Sequence, residues 1–269
     1  MINAIVIEDT QLRHSARLTT LQVTMHRSVL AQFSKHRMFS INASSSRAVP
    51  TKKFIKQVIS DPALPVFWGA NKSGMVADNQ LTGIKLRIAK LAYHLGRYSA
   101  VISAYIMHKA GLHKQITNRT LEAYLWETVV VTATEWDNFF NLRLAKDTQP
   151  EMQEVARAMK KAMDNSKPQN SKTHLPYVTT AEKSTLSLES LLKISAARCA
   201  RVSYLKHNKE VPSVEEDVAL ADRLLEAKHM TCFEHQALVA TSCKFYANFN
   251  SFRSYRYDIE KQGNLYSRK

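Results

Sequence analysis

The spacing of apolar positions changes several times along the chain. Over residues 17–25, Leu21, Val23 and Met25 alternate with Thr20, Gln22 and Thr24, the period-two mark of a half-buried strand. From Arg27 to Arg37 the period lengthens, and Val29, Leu30, Phe33 and His36 share a helical face. Pro50, Pro62 and Pro65 then punctuate a loop region, where the glycines of Trp68-Gly69-Ala70-Asn71-Lys72-Ser73-Gly74 read as turn formers because phosphate-loop spacing is absent. Over 86–109, Leu91, Leu95, Tyr98, Ile102 and Ile106 recur about one turn apart, which predicts a central core helix.

Further helical runs are expected over 121–144, 152–163 and 187–204, and a surface linker over about 165–185, around Ser166-Lys167-Pro168-Gln169-Asn170-Ser171. Ser213-Val214-Glu215-Glu216 is a capping box opening a helix to about Lys228. Residues 234–246 alternate as a strand would, ahead of a basic, aromatic tail. No internal repeat or heptad pattern is present, and residues 1–269 are expected to form a single domain.

A length of 269 residues with 45% hydrophobic and 23% charged content is that of a soluble globular chain with ample core. The net charge of +15 changes the picture: it calls for an anionic partner, whether nucleic acid, a membrane surface or a polyanionic small molecule. Met1–Asp9 reads as a strand, not a secretion signal, and no apolar run approaches the ~20 residues that span a bilayer. A cytoplasmic protein without membrane contact is expected. Cys199, Cys232 and Cys243 lack close metal-type spacing and read as reduced thiols.

Candidate chemistry concentrates in Phe33-Ser34-Lys35-His36-Arg37-Met38-Phe39-Ser40-Ile41-Asn42-Ala43-Ser44-Ser45-Ser46-Arg47, since no acid lies between Asp9 and Asp61. Arginine forks and serine hydroxyls together make a phosphate cradle, although a solvated basic loop has the same composition. A second cluster, His229-Met230-Thr231-Cys232-Phe233-Glu234-His235, has its histidines six apart, unlike the i, i+4 pair of helical zinc sites, and no metal site is expected. A third runs from Thr132 to Arg143. Asn138, Asn141 and Arg143 cannot all lie on one apolar face, so some of these side chains must reach solvent or a ligand.

The first cluster resembles the signature of flavin-dependent thymidylate synthases. Lys35-His36-Arg37, Ser40, Asn42, Ser45 and Arg47 fall at the family's spacings, with Ala43 and Ala48 standing where the family has Glu and Tyr. Ala200-Arg201-Val202-Ser203-Tyr204 and His229-x-x-Cys232-Phe233-Glu234-His235 resemble two more of its motifs, with Lys228 for Gly and Cys232 for Pro. Asn138-Phe139-Phe140-Asn141-Leu142-Arg143 resembles another, with Thr132 and Thr134 where the family has Asn and Arg. The motifs come in a circularly permuted order, the Ala-Arg-Val-Ser-Tyr and Phe-Glu-His segments last, as in phage-type members. That order requires the 235–246 strand to lie beside the 17–25 strand, with Thr231 and Glu234 near His36 and Arg37.

The resemblance implies an α+β fold, an antiparallel or mixed sheet flanked by a long-helix bundle. It also implies reductive methylation of dUMP to dTMP, with FAD as cofactor and methylenetetrahydrofolate and NAD(P)H as co-substrates. Lys35, His36, Arg37, Asn138, His229, Thr231 and Glu234 would hold the flavin. Gln32, Ser45, Ser46, Arg47, Arg119 and Arg143 would hold the nucleotide, and Arg143 would help ionise the uracil ring. Family members are homotetramers with active sites between subunits. Two alternatives stay open: flavin-dependent C5 modification, such as hydroxymethylation, of another pyrimidine nucleotide, motivated by Ala43; and a non-catalytic nucleic-acid-binding protein, motivated by the charge and the tail.

Overall fold

A computed structural model of the chain describes residues 1–202, 212–240 and 244–262. Ser203, Tyr204 and Cys243 lie outside the described residues. The strands are β1 (Asn3–Thr10), β2 (Leu18–His26), β3 (Ser40–Ala43), β4 (Trp126–Ala133), β5 (Thr173–His174), β6 (Ala237–Val239), β7 (Phe245–Tyr246), β8 (Phe249–Asn250) and β9 (Phe252–Ser254). The helices are α1 (Leu30–Phe33), α2 (Thr51–Ser60), α3 (Gly83–Lys109), α4 (Lys114–Thr117), α5 (Asp137–Arg143), α6 (Pro150–Asp164), α7 (Thr180–Thr185), α8 (Leu188–Arg201), α9 (Val214–Glu226) and α10 (Tyr255–Gln262). The architecture is α+β with antiparallel pairing. A four-stranded sheet runs β1-β2-β4-β3, and smaller sheets pair β5-β6-β9 and β7-β8.

The 121–144 helix expected from sequence is replaced by a 3-10 turn over Asn118–Tyr124, then β4 and α5. The run Thr128-Val129-Val130-Val131-Thr132 explains the difference: β-branched side chains fit the pleat, and a strand covered on both faces loses the alternating signature. Val129 and Val131 face α6 and its Met152, Val155 and Met159, while Val130 packs against Cys199 and Val202 of the α8 end. Each such fully buried side chain contributes about 1.5–3 kcal/mol.

Within the segment over 165–185, residues 167–170 are exposed as a linker would be, but the later part is structured. It carries β5 and α7, with Leu175 and His174 buried. Of the polar residues that suggest a linker, Ser166 bonds Asp9 inward at 2.6 Å, and beyond them a histidine ties into the core. His174 Nδ1 bonds Thr10 Oγ1 at 2.9 Å and its Nε2 bonds Thr20 Oγ1 at 2.7 Å. Thr20 continues to Thr132 (2.7 Å), and Thr132 to His235 Nδ1 (2.8 Å). This buried chain of hydroxyls and imidazoles ties the N-terminal sheet to the Phe-Glu-His segment.

The strand near 235–246 is also placed differently. β6 pairs with β5 and β9, not with β2. Leu18, at the start of β2, instead packs on Ala237, Phe249 and Phe252. The side-by-side placement that the permuted order requires is therefore not present among the described residues, because β1 and β4 already occupy both edges of β2, and the two segments meet instead through this cluster. α8 and α9 are stapled by Arg198, which donates to Asp217 at 2.9 Å and to Glu182 at 2.6 Å. Hydrogen bonds from that guanidinium hold the Glu182 carboxyl at about 2. Among the described residues no helix is long and apolar enough to cross a membrane.

The expected helix over 86–109 forms, as α3, 27 residues and ~40 Å long. It is not a core helix: Leu91 is 72% exposed and Leu95 67%, with Ile84, Ile88, Tyr98, Ile102, Tyr105 and Ile106 also exposed. Its other side meets α2 and the 118–124 turn through Ala104, Val101 and Ala100.

Candidate active site

The Lys35–Arg37 row is bracketed by two buried anchors. Phe33 is inaccessible and Phe39 nearly so, their rings 5.7 Å apart. Successive turn bonds, His36 N–H to Phe33 C=O and Phe39 N–H to His36 C=O, bulge the residues between them outward. Lys35 and Arg37 are therefore exposed, and His36 is half-buried against Phe139 (4.8 Å) and Phe39 (5.6 Å). Arg143 lies one helical turn after Phe139 on the same face of α5. Its Nε–H donates to His36 Nε2 at 3.0 Å. Burial and then the Arg143 charge lower the His36 pKa, so the ring is neutral and serves as an acceptor.

β3 follows as the spine of the site. At its start Ser40 hydrogen-bonds Glu234, whose half-buried carboxylate also pairs with Arg256 of α10. Burial raises the Glu234 pKa and the Arg256 charge opposes that. Both acids and bases line a 210 Å³ pocket with Ser40, Asn248, Tyr257 and Glu260. In mid-strand, Asn42 donates to the Cys199 carbonyl at 2.8 Å and Thr231 donates to Asn42 Oδ1 at 3.4 Å. The turn carrying Thr231 and Glu234 thus abuts β3, the strand that leads on from Lys35-His36-Arg37.

Beyond β3 the Ser-rich loop is held from several sides. Ser44 N–H donates to Thr128 C=O at 3.1 Å, and its hydroxyl donates to Glu127. Asn118 donates to the carbonyls of Ser46 (2.7 Å) and Val49 (2.9 Å) and accepts from Thr51. Arg47 is left exposed, with Ser45 half-buried and Ser46 buried beside it. Gln32 Oε1 is buried and has no hydrogen-bond partner among the described residues.

Asn138, His229 and Arg119 are all exposed. Arg119 sits next to Asn118, and it is the shorter amide that reaches the loop. Thr132, where the resemblance has an asparagine, is buried in the His235 network, and Thr134 accepts from Asn250 N–H at 3.0 Å. Lys228, at the position of a family glycine, adopts φ +56° after α9. Cys199 and Cys232 are buried free thiols, and burial pushes the Cys232 thiol up to about 12. Among the described residues no group of three or more His, Cys, Asp or Glu could hold a metal. The described part of the basic tail folds as β7–β9 and α10, where Arg253 pairs with Asp258 and Arg256 with Glu234 and Glu260.

Residues 16–169 match the family model described as thymidylate synthase complementing protein. The chain belongs to that family. Membership makes it a thymidylate synthase-like methyltransferase with the α+β fold described above, in a family that is generally flavin-dependent. The matched segment of this family member holds β2, the Lys35–Arg47 stretch, β4 and Arg143. The Thr231–Glu234 turn lies beyond it. A comparison with curated proteins finds no match. Among solved structures, the chain is similar to the UMP/dUMP methylase PolB from Streptomyces cacaoi bound with 5-Br dUMP, at 14% identity and a TM-score of 0.44, covering 55% of this chain and 66% of that one. The same methylase bound with 5-Br UMP gives 14% identity and 0.46, covering 61% and 88%.

Proposed function

We propose that this family member is a FAD-dependent enzyme that methylates the uracil C5 of dUMP, drawing the carbon from methylenetetrahydrofolate and the reducing equivalents from NAD(P)H. The observation that carries the reading is the Arg143–His36 bond, which joins two motifs 107 residues apart into one cationic, donor-rich surface. In this reading the loop hydroxyls of Ser45 and Ser46 and the Arg47 fork take the phosphate. Gln32, whose buried Oε1 has no partner among the described residues, and Arg119 contact the nucleotide. Arg143, oriented by the neutral His36, stabilises negative charge developing on the pyrimidine.

The donor set fits an anionic dinucleotide: exposed Lys35 and Arg37 carry charge, and Asn138, His229 and Thr231 offer accessible hydrogen-bonding groups. Thr132 and Thr134 are committed inward, so the adenine half must be gripped elsewhere. When bound, the flavin supplies hydride transfer. No thiol is needed as nucleophile, in keeping with the raised pKa values of Cys199 and Cys232.

The exposed apolar row of α3 supports assembly into the family's homotetramer, with sites between subunits. Residues 1–269 are read as one permuted domain, acting in the cytoplasm. The order of the motifs along the chain is what supports the permuted reading, and the shared cluster of Leu18 and Ala237 keeps the two segments in contact.

A second reading, C5 modification of a different pyrimidine nucleotide, is favoured by Ala43, where a carboxylate is missing from the motif. Incubation with FAD, NADPH, methylenetetrahydrofolate and dUMP, UMP or dCMP, followed by product mass spectrometry, separates the two. A dUMP product heavier by one CH2, the mark of a methyl group replacing a hydrogen, supports the first reading. A modified dCMP or UMP alone supports the second, and no product from any acceptor refutes both.

A further inference from the structure

The Ser44–Arg47 loop is braced by an acid that lies in none of the motifs. Glu127 on β4 has no exposed surface, yet its carboxylate accepts from both Ser44 Oγ and Arg27. Arg27 in turn reaches Glu122 at 3.4 Å. A fully buried carboxylate costs several kcal/mol unless it is well paired, so its presence inside a strand of valines and threonines calls for a reason.

The strand register supplies one. Ala43 pairs with Val129, and the Ser44 N–H bonds the Thr128 carbonyl. Residues two apart on a strand share a face, so Glu127 shares the face of Val129 and of Ala43 opposite it. Glu127 is therefore the diagonal neighbour of Ala43, at about 7–8 Å between Cα atoms, within reach of a long side chain. Position 43 is short, and a carboxylate from the adjoining strand projects on its side of the sheet.

We infer that Glu127, held by Arg27, is a positioning residue of the nucleotide site: it orients Ser44 and thereby sets the Ser45-Ser46-Arg47 cradle. The inference rests on the nucleotide reading given above. Because the Ser44 hydroxyl proton is committed to Glu127, the donors left to a phosphate are Ser45, Ser46 and Arg47. Asn118 braces the far end of the same loop through the Ser46 and Val49 carbonyls. The loop is thus fixed at both ends while Arg47 is exposed at its tip.

Two variants test this: Glu127→Gln, which keeps shape and removes charge, and Ala43→Glu/Glu127→Gln, which returns a carboxylate to the same face from β3. Hydrogen exchange of the 44–48 amides in the ligand-free protein reads the brace without any substrate, and thermal melts check the fold. Glu127→Gln is expected to speed exchange at 44–48 and to raise KM for dUMP about tenfold with kcat changed less than about threefold, and the double variant to recover KM. Unchanged exchange at 44–48, an unchanged KM beside a lowered melting temperature, or a double variant no better than the single overturns the inference. Wild-type protein that neither binds nor turns over dUMP refutes the nucleotide reading instead, and the exchange result still judges the brace.

Discussion

Strand β4 and helix α3 are both rich in branched and long apolar side chains, and they meet opposite environments. Val129, Val130 and Val131 of β4 are closed off on both faces by α6 and by the α8 end. Leu91, Leu95, Ile102 and Ile106 of α3 form an equally regular row that stays exposed among the described residues. Apolar spacing reports that a face will be buried, but not by which molecule. One row builds this chain's core, and the other is read above as an assembly surface.

The sharpest way to break the comparison is to put the same charge into each row. Val131→Asp buries an unpaired carboxylate and is expected to cost more than ~4 kcal/mol, removing folded protein as judged by circular dichroism. Leu91→Asp/Ile102→Asp is expected to leave the fold within about 1 kcal/mol of wild type while analytical ultracentrifugation shows the assembly reduced to monomers. A double variant that unfolds as Val131→Asp does would make α3 a core helix after all.

Acid tests the buried side of the contrast. His174 and His235 are held neutral, burial lowering His174 well below its ordinary value and His235 to about 3. In the unfolded chain both take up protons near pH 6.5, so stability is full above that pH and falls as pH drops from 6.5 toward 3. Each histidine contributes up to ~1.4 kcal/mol of loss per pH unit, measured by urea midpoints between pH 7 and 4. A flat profile would mean that the rings titrate freely.

Smaller effects follow from single links. Thr20→Val leaves His174 Nε2 and the Thr132 hydroxyl without their shared partner and should cost ~1–3 kcal/mol in denaturant unfolding. Lys228→Gly relieves a positive φ after α9 and should stabilise by about 1 kcal/mol in the same measurement.

The chain's legibility follows from these physics. The alternation of Leu21, Val23 and Met25, the Ser213–Glu216 capping box and the long α3 are local signals, and each appears in the structure as an element. β4 was hidden because burial on two faces erases alternation, and β5 because two residues carry no period. The 165–185 segment reads as a linker from Ser166 to Ser171, of which 167–170 are indeed exposed, while the inward bonds of His174 carry no sequence signal. Of the site, the Lys35–Arg37 row and Arg143 were legible as motifs, and their contact required the fold. Glu127 and Asn118 belong to no motif, although an acid beginning a β-branched run is itself a signal of a buried partner. Arg256, which engages Glu234, lies in a tail whose composition pointed outward to nucleic acid.

The account turns on Arg143, seated on a neutral His36, acting on a pyrimidine ring. Release of tritium from [5-³H]dUMP in the presence of FAD, NADPH and methylenetetrahydrofolate measures that directly, in wild type and in Arg143→Ala. The expected result is steady release by the wild type, falling away as pH drops through a His36 pKa that lies below 6.5, and a loss of about 100-fold or more in the folded variant. Equal release by the two proteins would contradict it.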